Sequence, residues 1–156
     1  MLIIYRILIN IVYLLSPIII IIRLIKKKED PKRFKEKFCF FTKKKIKGKL
    51  IWIHGASVGE FQSIVPLIEK YEKRKDISQI LITSNTLSSS KVVVKQKFQK
   101  VIHQFFPVDT SLNTLNFLNY WKPCLSLFVD SEIWPNMLLS LKAVSYTHLR
   151  AHETHE

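Results

Sequence analysis

Residues 51–60 read IWIHGASVGE, and the stretch ends on a group able to move a proton, Glu60. Ser57-Val58-Gly59-Glu60 fits the capping box S-x-x-E, in which the serine caps a helix and the glutamate bonds back to its backbone. On the motif alone, a cap is the simpler reading. Gly59 argues for more. Glycine inside a first helical turn costs up to ~1 kcal/mol relative to alanine, a cost that is explained if a ligand must approach the backbone there. A carboxylate at a helix N-terminus is also held ionised, as a general base must be before it accepts a proton. Cap and base both stay open. A second group sits in DSEIWPN (130–136). Asp130 and Glu132, two residues apart, suit acid/base work or charge stabilisation, and equally suit helix capping ahead of Pro135. Trp134 suits core packing or a platform for a sugar ring.

Several chemistries are disfavoured. The chain has only three glycines and neither GxGxxG nor GxxxxGK[ST], which counts against a dinucleotide-dependent oxidoreductase and a P-loop NTPase. There is no GxSxG elbow, so a hydrolase of that type is a weak reading. Cys39 and Cys124 show no CxxC spacing and read as free thiols in a reducing compartment.

The elements that must position these groups alternate strand and helix. LIWIH (50–54) is a short β-branched run with a buried-strand pattern. Residues 57–73 follow with Phe61, Ile64, Val65, Ile68 and Tyr71 at helical spacing and Pro66 inside. Strands are predicted at 77–84, 101–106 and 125–129, and helices at 88–100, 111–121 and 135–142. Asp109, Thr110 or Ser111 caps the helix at 111, and Pro135 takes a first helical position, where its missing N–H is harmless. Such repeats predict an α/β fold with a parallel, doubly wound sheet. The loops HGASVGE, TSNTLSSS, PVDT and DSEIWPN then converge on the carboxyl edge, where open α/β sheets bind ligands.

Ahead of this unit lies MLIIYRILINIVYLLSPIIIIIRLI, apolar apart from Arg6, Asn10, Ser16 and Arg23. The 16 residues between the two arginines fall slightly short of the ~20 of a straight crossing, but both arginines can snorkel to opposite interfaces. A crossing anchor is expected, with a helix lying in the interface as the lesser alternative. No small-residue cleavage site follows; KKKEDPKR does, a flank that prefers the cytoplasm. Charge is concentrated there: residues 23–49 hold thirteen Lys/Arg against three acids, which is +10 of the formal +13. This predicts a juxtamembrane linker at 26–49 lying against an anionic leaflet. Nucleic acid is a poorer partner, since no DNA- or RNA-binding motif accompanies the charge.

HGASVGE, TSNT, FPVD and SEIWPN, in order and at matching spacing, resemble the N-terminal half of the bacterial Kdo (3-deoxy-D-manno-octulosonic acid) transferases. The resemblance covers about Met1 to Lys142. It implies a membrane anchor at 1–25 and, at 50–142, the acceptor-binding Rossmann-like N-terminal domain of a GT-B glycosyltransferase. It also implies transfer of Kdo from CMP-Kdo to a lipid A precursor, with inversion, at the cytoplasmic face of the inner membrane and without a cofactor or metal. Glu60 matches the family's proton acceptor. Asp130 stands where the family usually has the glutamate thought to support the transition state. Ser57, Gly59, Thr83, Ser84, Glu132, Trp134 and Asn136 are implied in substrate binding. RFKEKFCF (33–40) resembles the family's RxGERxG-like segment without its glycines. Nothing corresponds to the family's second domain, which binds the CMP part of the donor, so an inactive fragment is expected. The alternative is a non-catalytic, membrane-tethered basic module that binds anionic lipid. Residues 143–156 do not resemble the family. They read as translated adapter sequence, and their His148, His152 and His155 as no metal site.

Overall fold

The computed structural model describes residues 1–129 and 133–152, with side chains as far as Val144. Four strands form one parallel sheet: β1 (Lys49–His54), β2 (Ile77–Ser84), β3 (Val101–Phe105) and β4 (Leu125–Phe128), in the order β3-β2-β1-β4. Between them lie α2 (Val58–Glu72), α3 (Leu87–Lys95) and α4 (Ser111–Trp121). An apolar helix α1 (Leu2–Ile25) and a short 3-10 turn (Phe34–Phe38) precede the sheet, and α5 (Pro135–His152) follows it. The chain steps outward from β1 to β3 and returns to the other side of β1. The topological switch point, where such sheets open a crevice, therefore lies between β1 and β4.

Alternation along β1 and β2 builds a core on each face. Ile51, Ile53, Ile80 and Ile82 meet Phe61, Ile64 and Ile68 of α2 and Val93 of α3. Leu50, Trp52 and Leu81 meet Phe117, Leu118 and Trp121 of α4 and Met137 of α5. Pro66 sits on the exposed face of α2, where the carbonyl it leaves unpaired can meet water. The helix expected at 88–100 stops at Lys95, whose last turn ends in extended backbone at Gln96. Thr110, not Asp109, caps α4, its hydroxyl accepting from the Asn113 N–H. Expected to end at 142, α5 continues as helix to His152. The tail histidines, whose side chains lie beyond Val144, fall outside the described side chains.

Within the segment read as a basic linker, the 3-10 turn packs against β3, while most of the lysines are exposed. Arg33 grips the fully buried Glu36 with two bonds of 2.9 Å. Glu36 also accepts from the Phe105 N–H at 2.8 Å and from the Thr42 hydroxyl. Arg33 reaches on to the His103 carbonyl (2.8 Å) and Nδ1 (2.9 Å). A guanidinium only donates, so Nδ1 accepts and Nε2–H donates to Ser84 Oγ at 2.8 Å. Burial, then the charges of Arg33 and Lys43, push the His103 imidazole down to about 3.

Helix α1 is long and apolar enough to cross a membrane, and its polar side chains also bond within the protein. Near its start, Tyr5 donates to Asp109 Oδ2 (2.7 Å) and Arg6 Nε to Asn136 Oδ1 (3.0 Å). Tyr13 meets Phe38 edge-on at 5.5 Å, and Ser16 and Ile20 are buried. At its end, Arg23 pairs with the buried Glu29 at 2.8 Å, which Lys37 also binds at 2.7 Å. The start of α1 is thus bonded to Asp109 and Asn136, and its end to the segment that follows it. Pro17 cannot donate to the Tyr13 carbonyl, and the Ser16 hydroxyl bonds that carbonyl instead.

Candidate active site

The site grows from the end of β1. The Gly55 N–H extends the sheet ladder by donating to the Thr83 carbonyl at 3.1 Å. The backbone then turns, and Ser57 in extended conformation caps α2, its Oγ accepting from the Glu60 N–H at 3.2 Å. Glu60 answers with both oxygens: Oε1 accepts from the Ser57 hydroxyl (2.8 Å) and Oε2 from the Ala56 N–H (2.7 Å). The capping box is therefore formed. Each carboxylate oxygen retains a lone-pair position, and the group is half-buried at the positive end of α2.

Gly59 is exposed, and a methyl group added to it would meet nothing nearer than Ser57 Oγ at 4.0 Å. The chain's own packing does not require glycine there. The open space lies one residue from Glu60.

His54 forms the floor, and the spacing arguments passed over it. It is buried, with Nδ1 2.9 Å from Thr83 Oγ1 and its ring 4.2 Å from the ring of Phe106. Burial pushes its imidazole down to about 4, against the opposing effects of Thr83 and Glu60. It is neutral near pH 7 and offers Glu60 an uncharged neighbour. Trp134 leans over the same floor, 5.0 Å from Phe106 and 6.4 Å from His54 by ring centroids. Its buried indole N–H has no partner among the described residues. The signal for His54 was its place as the last residue of a strand ending in Gly.

The other expected residues separate into two groups. Thr83 and Ser84 stand at the end of β2, but both hydroxyls are buried and engaged inside the domain. Thr83 accepts from Trp52 Nε1 at 2.9 Å, and Ser84 bonds His103. Asn136 is buried as well, a bracket between Asp109, Arg6 and Ser111. These three side chains are turned into the protein, not toward a ligand. Asp109 carries unexpected weight: its carboxylate accepts from the backbone N–H of Asn136 (2.9 Å) and Met137 (2.8 Å), opening α5, and from Tyr5. Burial raises its pKa, against the pull of those bonds. Asp130 and Glu132 lie outside the described residues.

A carboxylate held at the switch point of an open parallel sheet defines a Rossmann-like ligand-binding domain. Residues 32–149 match the family described as 3-deoxy-D-manno-octulosonic-acid transferase (kdotransferase). That span includes 143–149, part of the stretch read from sequence as foreign. The 3-deoxy-D-manno-octulosonic acid transferase of Rickettsia bellii is 40% identical over 129 residues, covering 81% of this chain and 31% of the relative. A probable mitochondrial 3-deoxy-D-manno-octulosonic acid transferase of Arabidopsis thaliana is 34% identical over 140 residues, 88% of this chain and 31% of its own length. The Haemophilus influenzae transferase of the same name is 31% identical over 91 residues, 58% of this chain and 21% of its own. No solved structure matches the chain significantly. The chain belongs to the 3-deoxy-D-manno-octulosonic-acid transferase family and spans about a third of the length of its first two relatives.

Proposed function

We propose that this chain is the acceptor-binding part of an inverting glycosyltransferase that moves Kdo from CMP-Kdo to a lipid A precursor. The observation that carries this reading is the carboxylate of Glu60, fixed at the switch point beside the open flank of Gly59. Glu60 takes the proton of the attacking acceptor hydroxyl as the bond to the sugar carbon forms and CMP leaves. The unused lone pairs of its oxygens accept that proton, while Ser57 and Ala56 hold the group in place. His54, kept neutral by burial, leaves the carboxylate as the charged group on this floor. Trp134 offers a ring face to the acceptor sugar, and Asp130 and Glu132 support charge at the transition state. The donor's CMP portion is held by the remainder of the longer enzyme, so the 156-residue chain alone transfers nothing.

Support for a membrane setting comes from α1. Its Ile and Leu side chains are exposed along nearly the whole helix, for example Ile3 at 74%, Leu14 at 79% and Ile25 at 76%. Such a surface needs a non-aqueous cover. Because Tyr5, Arg6 and Tyr13 of α1 bond or pack against the domain, we read the helix as lying in the cytoplasmic leaflet of the inner membrane, with Lys26, Lys27 and Lys28 on its anionic headgroups.

The test is Glu60→Gln in the full-length enzyme. Gln also serves in a capping box, so thermal stability should stay close to wild type while turnover falls by roughly 10²–10⁴-fold. Turnover within a few-fold of wild type would return Glu60 to a capping role alone.

A further inference from the structure

One cavity is not used by the site above. It opens between α1 and the start of α4, has a volume of about 310 Å³, and is lined by Arg6, Asn10 and Tyr13 on one wall and Ser111 and Leu112 on the other. That volume lies at the lower end of the ~300–1,000 Å³ typical of ligand pockets. Arg6, Asn10 and Tyr13 occupy positions i, i+4 and i+7, one face of a helix that is otherwise almost wholly apolar. Contact with the domain accounts for only part of this stripe. Arg6 uses Nε on Asn136, and its terminal nitrogens make no bond among the described residues. The Asn10 amide and the Tyr13 hydroxyl likewise make no hydrogen bond there.

The donors therefore face the cavity: a planar guanidinium edge, an amide and a phenol. No carboxylate lines it. Asp109, next to the lining residue Thr110, has its carboxylate engaged by Tyr5, Asn136 and Met137. A guanidinium edge with neutral donors around it matches a tetrahedral oxyanion. The rim is apolar. Leu112, 68% exposed, stands on the α4 wall opposite Ile9 of α1, and Leu115, 44% exposed, lies one turn beyond Leu112. An anion pocket with an apolar rim fits a headgroup still attached to its acyl chains better than it fits a free ion.

We propose that this pocket binds the phosphate of a phospholipid-type headgroup, with Arg6 as the principal ligand and Asn136 as the residue that orients it. The assignment rests on the reading that α1 lies on a lipid surface. It does not depend on Glu60 being a base.

The test uses the full chain, isotope-labelled in a zwitterionic detergent. Backbone amide shifts at Asn10, Ser111 and Leu112 are followed while dihexanoyl phosphatidic acid, inorganic phosphate or dihexanoyl phosphatidylcholine is added. The expected result is saturable shifts at these amides with phosphatidic acid, at least tenfold weaker binding of inorganic phosphate, and no saturation with phosphatidylcholine. Arg6→Gln should weaken phosphatidic acid binding tenfold or more and Asn10→Ala by a few-fold. A triple Lys26, Lys27, Lys28→Gln variant should change it less than twofold. Unchanged amide shifts elsewhere report that each variant is folded, and Arg6→Lys, which keeps the charge, should fall between wild type and Gln. Equal affinity for phosphate and phosphatidic acid overturns the lipid assignment. Absent shifts, or an Arg6→Gln titration like wild type, overturn the site. Shifts confined to residues 55–60 would also overturn it while leaving the acceptor reading of Glu60 standing, which the turnover test decides separately.

Discussion

Gly59 separates capping from catalysis more sharply than Glu60 does. Its backbone is not in the left-handed region and its flank is open, so alanine fits without strain. Gly59→Ala should therefore stabilise the fold by about 0.4–1 kcal/mol by restricting the unfolded chain. In the full-length enzyme, the same methyl group occupies the substrate's approach and should lower kcat/KM at least tenfold. Denaturant midpoints and initial rates on one variant thus move in opposite directions. If both improve, the open flank has no role in the reaction. The two buried imidazoles make a second residue-scale prediction. His54 and His103 have native pKa values of about 4 and about 3, below the ~6.5 of an unfolded chain. The unfolded state then binds more protons below pH 6.5. Stability should be fully present above that pH and fall toward pH 4, by about 1.4 kcal/mol per unit for each imidazole over the steep part. Asp109, raised by burial, acts in the opposite direction. Urea midpoints that stay level from pH 6.5 to 4.5 would contradict the neutral, buried state of both rings.

Among the elements, the 3-10 turn shows where sequence reading succeeded and where it stopped. Strands and their order of appearance were legible because β-branched runs of 4–8 residues bounded by polar loops carry a period that helices do not. The parallel sheet followed, and with it the shared edge of HGASVGE and DSEIWPN. The turn itself was not legible. RFKEKFCF has the composition of a solvated charge run, and only three-dimensional contact reveals that Glu36 is wholly buried under Arg33 and the Phe105 N–H. Likewise, the hydroxyls of Thr83 and Ser84 look available at a strand end, but Trp52 and His103, 31 and 19 residues away in sequence, engage them. Arg33→Ala removes the partner of a buried carboxylate and should cost about 3–5 kcal/mol, read as a fall in thermal midpoint. A loss below 1 kcal/mol would mean that Glu36 finds other partners. Gly48, at φ +123°, precedes β1, and a Cβ there would lie 2.0 Å from Ser78 Oγ. Gly48→Ala should therefore destabilise the β1–β2 pairing, whereas Gly59→Ala does the reverse.

For the molecule as a whole, the open choice concerns the course of α1. Length and hydropathy alone allow a crossing helix, because periodicity cannot show which residues a distant domain will hold. Tyr5–Asp109 and Arg6–Asn136 are the contacts that favour the proposed in-plane course. Spin labels at Ile4, Ile11, Ile18 and Ile25, seven residues apart on one face, should report nearly equal depths in anionic vesicles. In a crossing helix the outer labels would be separated by roughly 30 Å along the membrane normal. A graded depth series would overturn the in-plane reading.

The bracket around Asn136 has a mechanical consequence. Trp134 stands two residues before it, on the same run of chain that Asp109 fixes to α1. A flexible tether would let the domain wander above a bilayer and sample targets at many heights. On the proposed in-plane course of α1, the stand-off is set by two short polar bonds with no slack, and the domain rides at one altitude. A lipid acceptor whose reactive hydroxyl projects too little or too far from the leaflet would then be out of register before any side chain inspects it, and size selection would begin with how the protein sits.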